Sequence, residues 1–191
     1  MTDTVVNVPI IEAYQVRLRP ITVADLTCLR QWRNSAFVRE KMVSTGLISH
    51  EQQLAWYKKI ATDPSQMHWV IEYRDTPIGA VNVKVFEDDD SVTSAKILEP
   101  GLYIGEPRYQ GNIVAFAPTL ALYDYCFSVF HTQQFHASVK ADNEAAIKYN
   151  QQLGYETVSR GQFVTLSLQK ACYERQTVTL KSLLSRTGKT K

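Results

Sequence analysis

The chain has 191 residues, 45% of them hydrophobic and 21% charged, with a formal net charge of +2. That balance excludes a disordered chain, a basic nucleic-acid footprint and an acidic tail. No run approaches the length of a membrane span, no basic-then-apolar start marks a signal peptide, and Cys28, Cys126 and Cys172 suit neither a disulfide framework nor zinc. The expectation is a cytoplasmic, reduced, metal-free protein with no nucleic-acid or membrane partner.

Residues 1–13 read as an N-terminal extension, and residues 14–175 as one domain. From Tyr14 the alternation in YQVRLRPIT predicts a first strand. Val23, Leu26 and Leu29 then recur at helical spacing behind Thr22, a suitable cap. Ser49 and Gln52 form a capping box ahead of a second helix, HEQQLAWYKKI. MHWVIEYR and PIGAVNVKVF read as two strands joined by a DTP hairpin turn, followed by the acidic loop EDDDS. AKILEPGLYIG reads as a fourth strand, broken by a bulge at Pro100 and Gly101.

VAFAPTLALYDYCFSVF predicts an amphipathic third helix with Pro118 in its first turn or at a kink. QFHASVKA is a fifth, half-buried strand, and DNEAAIKYNQQLG a fourth helix closed by Gly154. YETVSRGQFVTLSLQ reads as a final strand pair, and residues 176–191 as a segment ending in a frayed basic tail. Strict strand–helix alternation is missing, so the fold class expected is α+β: a mixed sheet flanked by about four helices.

One stretch carries chemistry. RYQGNIVA, residues 108–115, lies between a strand and a helix expected to begin near Ile113 or Val114. A glycine there either turns the chain or leaves room for phosphate on outward N–H groups at a helix mouth, with Arg108 as a nearby cation. The stretch alone leaves both readings open. Competing phosphate motifs fail: no G-x-G-x-x-G follows a strand, and Leu183 stands where a TGKT Walker loop needs its first glycine.

The later segment FHASVKADNEAAIKYNQQLGY adds a strand, an Asn-x-x-Ala helix and a Gly-Tyr entry to another strand. Together with Arg108-x-x-Gly111 it resembles the GNAT superfamily of acetyl-CoA-dependent N-acetyltransferases, over about Tyr14 to Leu168. The resemblance implies a mostly antiparallel sheet splayed between its fourth and fifth strands. It places acetyl-CoA, with no metal, against Tyr103, Ile104 and Gly105 on the splayed edge. Arg108, Gln110, Gly111, Asn112, Ile113 and Val114 would hold its pyrophosphate, and Asn143 and Ala146 would flank the pantetheine arm. Two residues depart from the pattern: Ile113 replaces a small residue, and Asn150 stands where a tyrosine acid is usual, with Tyr149 one position earlier.

Amine attack on a thioester needs a neutral amine, a donor to the oxyanion and a proton for the thiolate, but no enzyme nucleophile. Glu99, before the expected bulge, is the candidate base or else a solvated carboxylate, and Glu106 is second to it. Tyr149 is a candidate acid, with Asn150 an alternative donor to the thioester. His68 and His136 read as packed or surface residues. The segment LRQWRNSAFVREKM, followed by ISHEQQLAWY, resembles the subgroup that acetylates the 4-amino group of UDP-linked amino-deoxy sugars and, less closely, the ribosomal-protein alanine N-acetyltransferases. For such an acceptor, Arg30, Arg33 and Arg39 with Asn34 suit a diphosphate through charge-assisted hydrogen bonds, and Met42, Trp32 or Phe37 suit its base or sugar face. The alternatives are solvated arginines, acetylation of a protein N-terminus, or a non-catalytic coenzyme A-binding domain. A homodimer is compatible with the sequence.

Overall fold

The structure, a computed structural model, describes residues 5–86 and 91–186. Eight strands form one sheet in the order β1-β2-β3-β4-β5-β6-β8-β7. They are β1 Ile11–Ala13, β2 Val16–Pro20, β3 Gln66–Tyr73, β4 Thr76–Val85, β5 Ile97–Ile104, β6 Gln134–Lys140, β7 Glu156–Arg160 and β8 Phe163–Gln169. Every pairing is antiparallel except β5 with β6, which are parallel and paired at Ile97–Gln134 and Leu98–Phe135.

Alternation gives the sheet two faces. Leu18, Trp69, Val83 and Leu98 belong to the larger core, which includes helix α4 (Ala117–Tyr125). Val70 packs with Ala80 and Tyr103 beneath α1 (Leu26–Asn34) and α3 (His50–Ile60). Helix α5 (Glu144–Leu153) follows β6, and α6 (Lys170–Gln176) and α7 (Val178–Leu184) follow β8. A short α2 (Ala36–Arg39) completes the seven helices of the described residues.

Local chemistry explains the predicted ends. Ser49 Oγ accepts the Gln52 N–H at 3.2 Å while Gln52 Oε1 accepts the Ser49 N–H at 2.8 Å, so the capping box forms. Asp25 accepts the Thr22 N–H and also pairs with Arg19, fixing the entry to α1. Gly154, at φ +100°, ends α5 in the left-handed region. Pro118 sits in the first turn of α4, where its missing N–H costs nothing.

Several expectations change. No bulge occurs at Pro100 and Gly101: β5 stays in register with β4 from Leu98 to Ile104, and the irregularity lies in β4 between Pro77 and Gly79. The Phe86 N–H donates to Ile97 C=O, and the Gln134 N–H donates to Lys96 C=O. Odd-numbered β5 residues therefore aim their main chain at β4 and even-numbered ones at β6. Pro100 is even-numbered, so its missing N–H breaks no bond to β4.

The third predicted helix is not amphipathic. Residues Ala117 to Tyr123 are all buried, and a 3-10 turn (Ile113–Phe116) and a π turn (Cys126–Phe130) extend the helix at both ends. The 18 residues Ile113–Phe130 are long and apolar enough for a membrane span, contrary to expectation, but 56% of that stretch is buried inside the fold. The C-terminal segment carries structure ahead of its tail: α6 ends at Gln176 and α7 spans Val178–Leu184. Asp124 of α4 accepts Tyr173 Oη at 2.8 Å, Lys181 Nζ at 2.7 Å and Tyr14 Oη, tying α6, α7 and the β1–β2 turn to the central helix. β1 lies within the expected N-terminal extension. Most of the acidic loop, the TGKT motif and the basic tail end fall outside the described residues.

His68 on β3 lies edge-on to Trp56, with its Nε2 2.8 Å from Gln66 Oε1. Burial, aided by the Lys84 charge, holds its imidazole down to about 4. The unfolded chain then takes up a proton near pH 6.5 that the folded chain refuses until about pH 4. Stability should therefore fall by about 2–3 kcal/mol as pH drops through that window. Chemical denaturation at pH 7 and pH 4.5 checks this: His68→Gln should show a smaller decline than wild type.

Candidate functional site

β5 and β6 diverge beyond their two paired positions, opening the sheet. The even-numbered residues Leu102 and Ile104 direct their main-chain groups into the gap, and Gln110 Nε2 caps the Ile104 C=O at 2.9 Å. This is the splay that the family resemblance implies. A cavity of about 980 Å³ runs through it, within the range of ligand-binding clefts.

The expected phosphate turn stands at the mouth of this cavity. After a 3-10 turn at Pro107–Tyr109, Gly111 takes φ +69°, and a Cβ there would meet no heavy atom within 4 Å. The glycine both turns the chain and leaves open space. Among the described residues, the N–H groups of Gly111 and Ile113 have no acceptor. Neighbouring amides are engaged: Val114 donates to the Asn112 side chain at 3.1 Å and Ala115 to Asn112 C=O at 2.9 Å. Anion capacity in this form therefore rests on two amides rather than the whole turn. Gln110, Gly111, Asn112 and Ile113 line the cavity; Arg108 and Val114 do not. Arg108 pairs with Glu106 at 3.4 Å beside the Tyr109 ring.

Tyr103 and Ile104 line the cavity, but Gly105 does not. A Cβ on Gly105 would lie 2.1 Å from the Trp32 indole, so this glycine lets α1 seat its ring on the strand. On the far wall, Asn143 and Ala146 line the cavity, and Asn143 Oδ1 caps α5 by accepting the Ala146 N–H at 3.2 Å. Asn150 also lines it, though its Nδ2 donates back to Ala146 C=O at 2.9 Å.

Tyr149 is tied across the cleft between α4 and α5. Its ring stacks on Phe116 at 4.4 Å, its hydroxyl lies 2.7 Å from Thr119 Oγ1, and it donates to Ala115 C=O at 3.1 Å. Burial pushes the phenol well up, which makes it a poorer acid. Glu99 lies outside the lining, opposite Lys84 in the β4–β5 register. Glu106 is also outside it.

On the acceptor side, Met42 lines the cavity, whereas Arg30, Arg33, Asn34 and Arg39 do not. Asn34 has a structural task, exchanging two hydrogen bonds with the Ile48 main chain and so pinning the 35–48 loop to the end of α1. Arg30 Nε and Arg33 Nη1 are buried without an acceptor among the described residues. The Arg33 charge partly opposes the burial that raises the Tyr103 phenol. Phe37, expected against a base or sugar, lines the cavity with Val38, whereas Trp32 does not; sequence reasoning missed the wall supplied by Lys41, Val43 and, across the gap, Lys140. Lys41 lies 3.6 Å from the centre of the Phe37 ring, and Lys140 Nζ donates to Glu40 C=O at 3.2 Å. Among the described residues, the charged lining is Lys41, Lys140 and Lys148, with no Asp, Glu or His.

Comparison with known proteins agrees with this geometry. The family model described as an acetyltransferase (GNAT) domain matches residues 15–156. No curated protein matches the sequence. Among solved structures, an uncharacterised Bacillus halodurans protein is 16% identical, with a TM-score of 0.76 over 88% of this chain and 91% of its own. The Vibrio cholerae spermidine N-acetyltransferase, in complex with CoA and spermine, is 19% identical, with a TM-score of 0.71 over 84% and 98%. The Campylobacter jejuni N-acetyltransferase PseH is 18% identical, with a TM-score of 0.61 over 82% and 99%. At such identities the likeness concerns the fold.

Tyr149→Phe separates a proton donor from a clamp. As a clamp, its loss should cost about 1–2 kcal/mol of stability and raise the KM for acetyl-CoA several-fold, with kcat within about twofold. A fall in kcat of about 100-fold at unchanged KM would identify it as the acid.

Proposed function

We propose, from the premise that the chain belongs to the acetyltransferase (GNAT) family and is an N-acetyltransferase, that its acceptor is a primary amine on an anionic small molecule, a nucleotide-linked amino sugar. The observation that carries this reading is the charge of the cavity wall: three lysines and, among the described residues, no carboxylate. A polycation such as spermine, held by the Vibrio relative, would meet only like charge there. A phosphate-bearing acceptor gains charge-assisted hydrogen bonds from Lys41 and Lys140 instead, while Phe37 and Met42 offer apolar and polarisable faces for a base or sugar.

Acetyl-CoA is the donor substrate. Its diphosphate faces the Gly111 and Ile113 N–H groups, and its thioester lies along the gap edge of Leu102 and Ile104. The acceptor nitrogen attacks the thioester carbonyl, and a main-chain N–H on that edge stabilises the oxyanion. The C–S bond then breaks, and the thiolate takes up a proton in exchange for the one lost by the amine. With no carboxylate or imidazole in the described lining, the positive wall itself favours the neutral, nucleophilic amine.

Thiol release from acetyl-CoA, measured with a UDP-linked 4-amino sugar, spermidine and an alanine-initiated peptide, tests this reading. Turnover is expected with the sugar alone. Lys41→Ala should raise the KM for the sugar about tenfold while leaving the KM for acetyl-CoA within about twofold. Turnover with spermidine or the peptide in its place, or with none of the three despite coenzyme A binding, would overturn it.

A further inference from the structure

Gly101 is a glycine for reasons of space. It forms no bulge, since β5 runs through it in register with β4, and its φ is not positive. A Cβ there would lie 2.5 Å from Asn82 Oδ1 and 3.4 Å from Asn82 Nδ2. The Asn82 amide therefore fills the place that a side chain at 101 would take.

Asn82 stands on β4 opposite Gly101, and the next pair toward the open end of the splay is Ala80 with Tyr103. Ala80 and Tyr103 pack beneath α1 and α3, so alternation puts the Asn82 amide on the same face. Ser138 and Lys140 of β6 share that face, because the alternating Ala137 and Val139 belong to the α4 core. Asn82 is not itself part of the cavity lining, but Gly101, Tyr103, Ser138 and Lys140 are. Its amide reaches the cavity edge by lying over Gly101. Among the described residues, the Asn82 side chain has no hydrogen-bond partner, and neither of its polar atoms is buried.

We infer that Asn82, seated on Gly101, orients the acceptor amine by accepting one of its N–H groups. The inference rests on the acceptor and donor sites proposed above. Leu102 follows Gly101 and turns its main chain into the gap, so an amine over Gly101 stands beside the thioester carbonyl. A carboxamide oxygen fixes the direction of the nitrogen lone pair without favouring the ammonium, as a carboxylate would. The hydrogen held by Asn82 stays on nitrogen and becomes the product amide N–H. The other amine hydrogen leaves as a proton while the C–N bond forms and the C–S bond breaks, and the coenzyme A thiolate takes up a proton.

Calorimetry of a UDP-linked 4-amino sugar binding to the full chain, saturated with coenzyme A so that no transfer occurs, tests the inference. Asn82→Ala should weaken sugar binding about tenfold and leave coenzyme A affinity within about twofold of wild type. Gly101→Ala should do the same, because its methyl group pushes the end of a side chain aside and leaves the backbone in place. The double variant should bind the sugar within about twofold of either single variant, since both remove one contact. Unchanged sugar binding by Asn82→Ala overturns the inference, as do losses that multiply to about a hundredfold in the double variant. A wild-type chain that binds coenzyme A but not the sugar overturns the acceptor reading, and the inference falls with it.

Discussion

The structure depends on the divergence of β5 and β6. Each strand is committed elsewhere, β5 to β4 from Leu98 to Ile104 and β6 to β8 from Gln134 to Lys140. Two parallel residue pairs, with the Gln133 and Gln134 N–H groups on the Lys96 C=O, hold the two halves together at one end. Beyond them, α4 packs against the β1–β5 half, while α5 and α6 lie on the other. The stacked Phe116 and Tyr149 rings hold those helices apart. The resulting gap leaves unpaired strand edges inside the molecule, where a ligand main chain or thioester can meet them.

Much of this was legible in the sequence because it depends on local chemistry. Caps, turn residues and alternation act within a few positions, so Ser49, Gly154 and the RYQGNIVA turn announced their elements. Pro100 misled because the cost of a missing N–H depends on where that group points. Only strand pairing decides that, and here it points into the splay. Residue type likewise gives chemistry without direction. The arginines of α1 suggested an anion clamp, yet the helix turns them away from the cavity. Lys41 and Lys140, on elements brought together only by the fold, supply the charge instead.

The central helix shows the same limit from another side. Its sequence is apolar nearly all round, a pattern that fits a core helix better than a surface one. The expectation of an amphipathic helix fails because the C-terminal helices that cover its outer side carry no signal of docking in their sequence. Asp124 reveals the arrangement: one carboxylate gathers two phenols and an ammonium from three separate segments. Leu180 of α7 thereby lines the cavity.

The catalytic account needs two main-chain amides, Gly111 and Ile113, to receive the carrier's phosphates, since their neighbours already have partners. The most direct measurement is the amide NMR spectrum of ¹⁵N-labelled protein during titration with coenzyme A. The account requires the Gly111 and Ile113 resonances to move downfield together and saturate with the same affinity. Binding that left both unmoved while shifting amides in another part of the fold would contradict it.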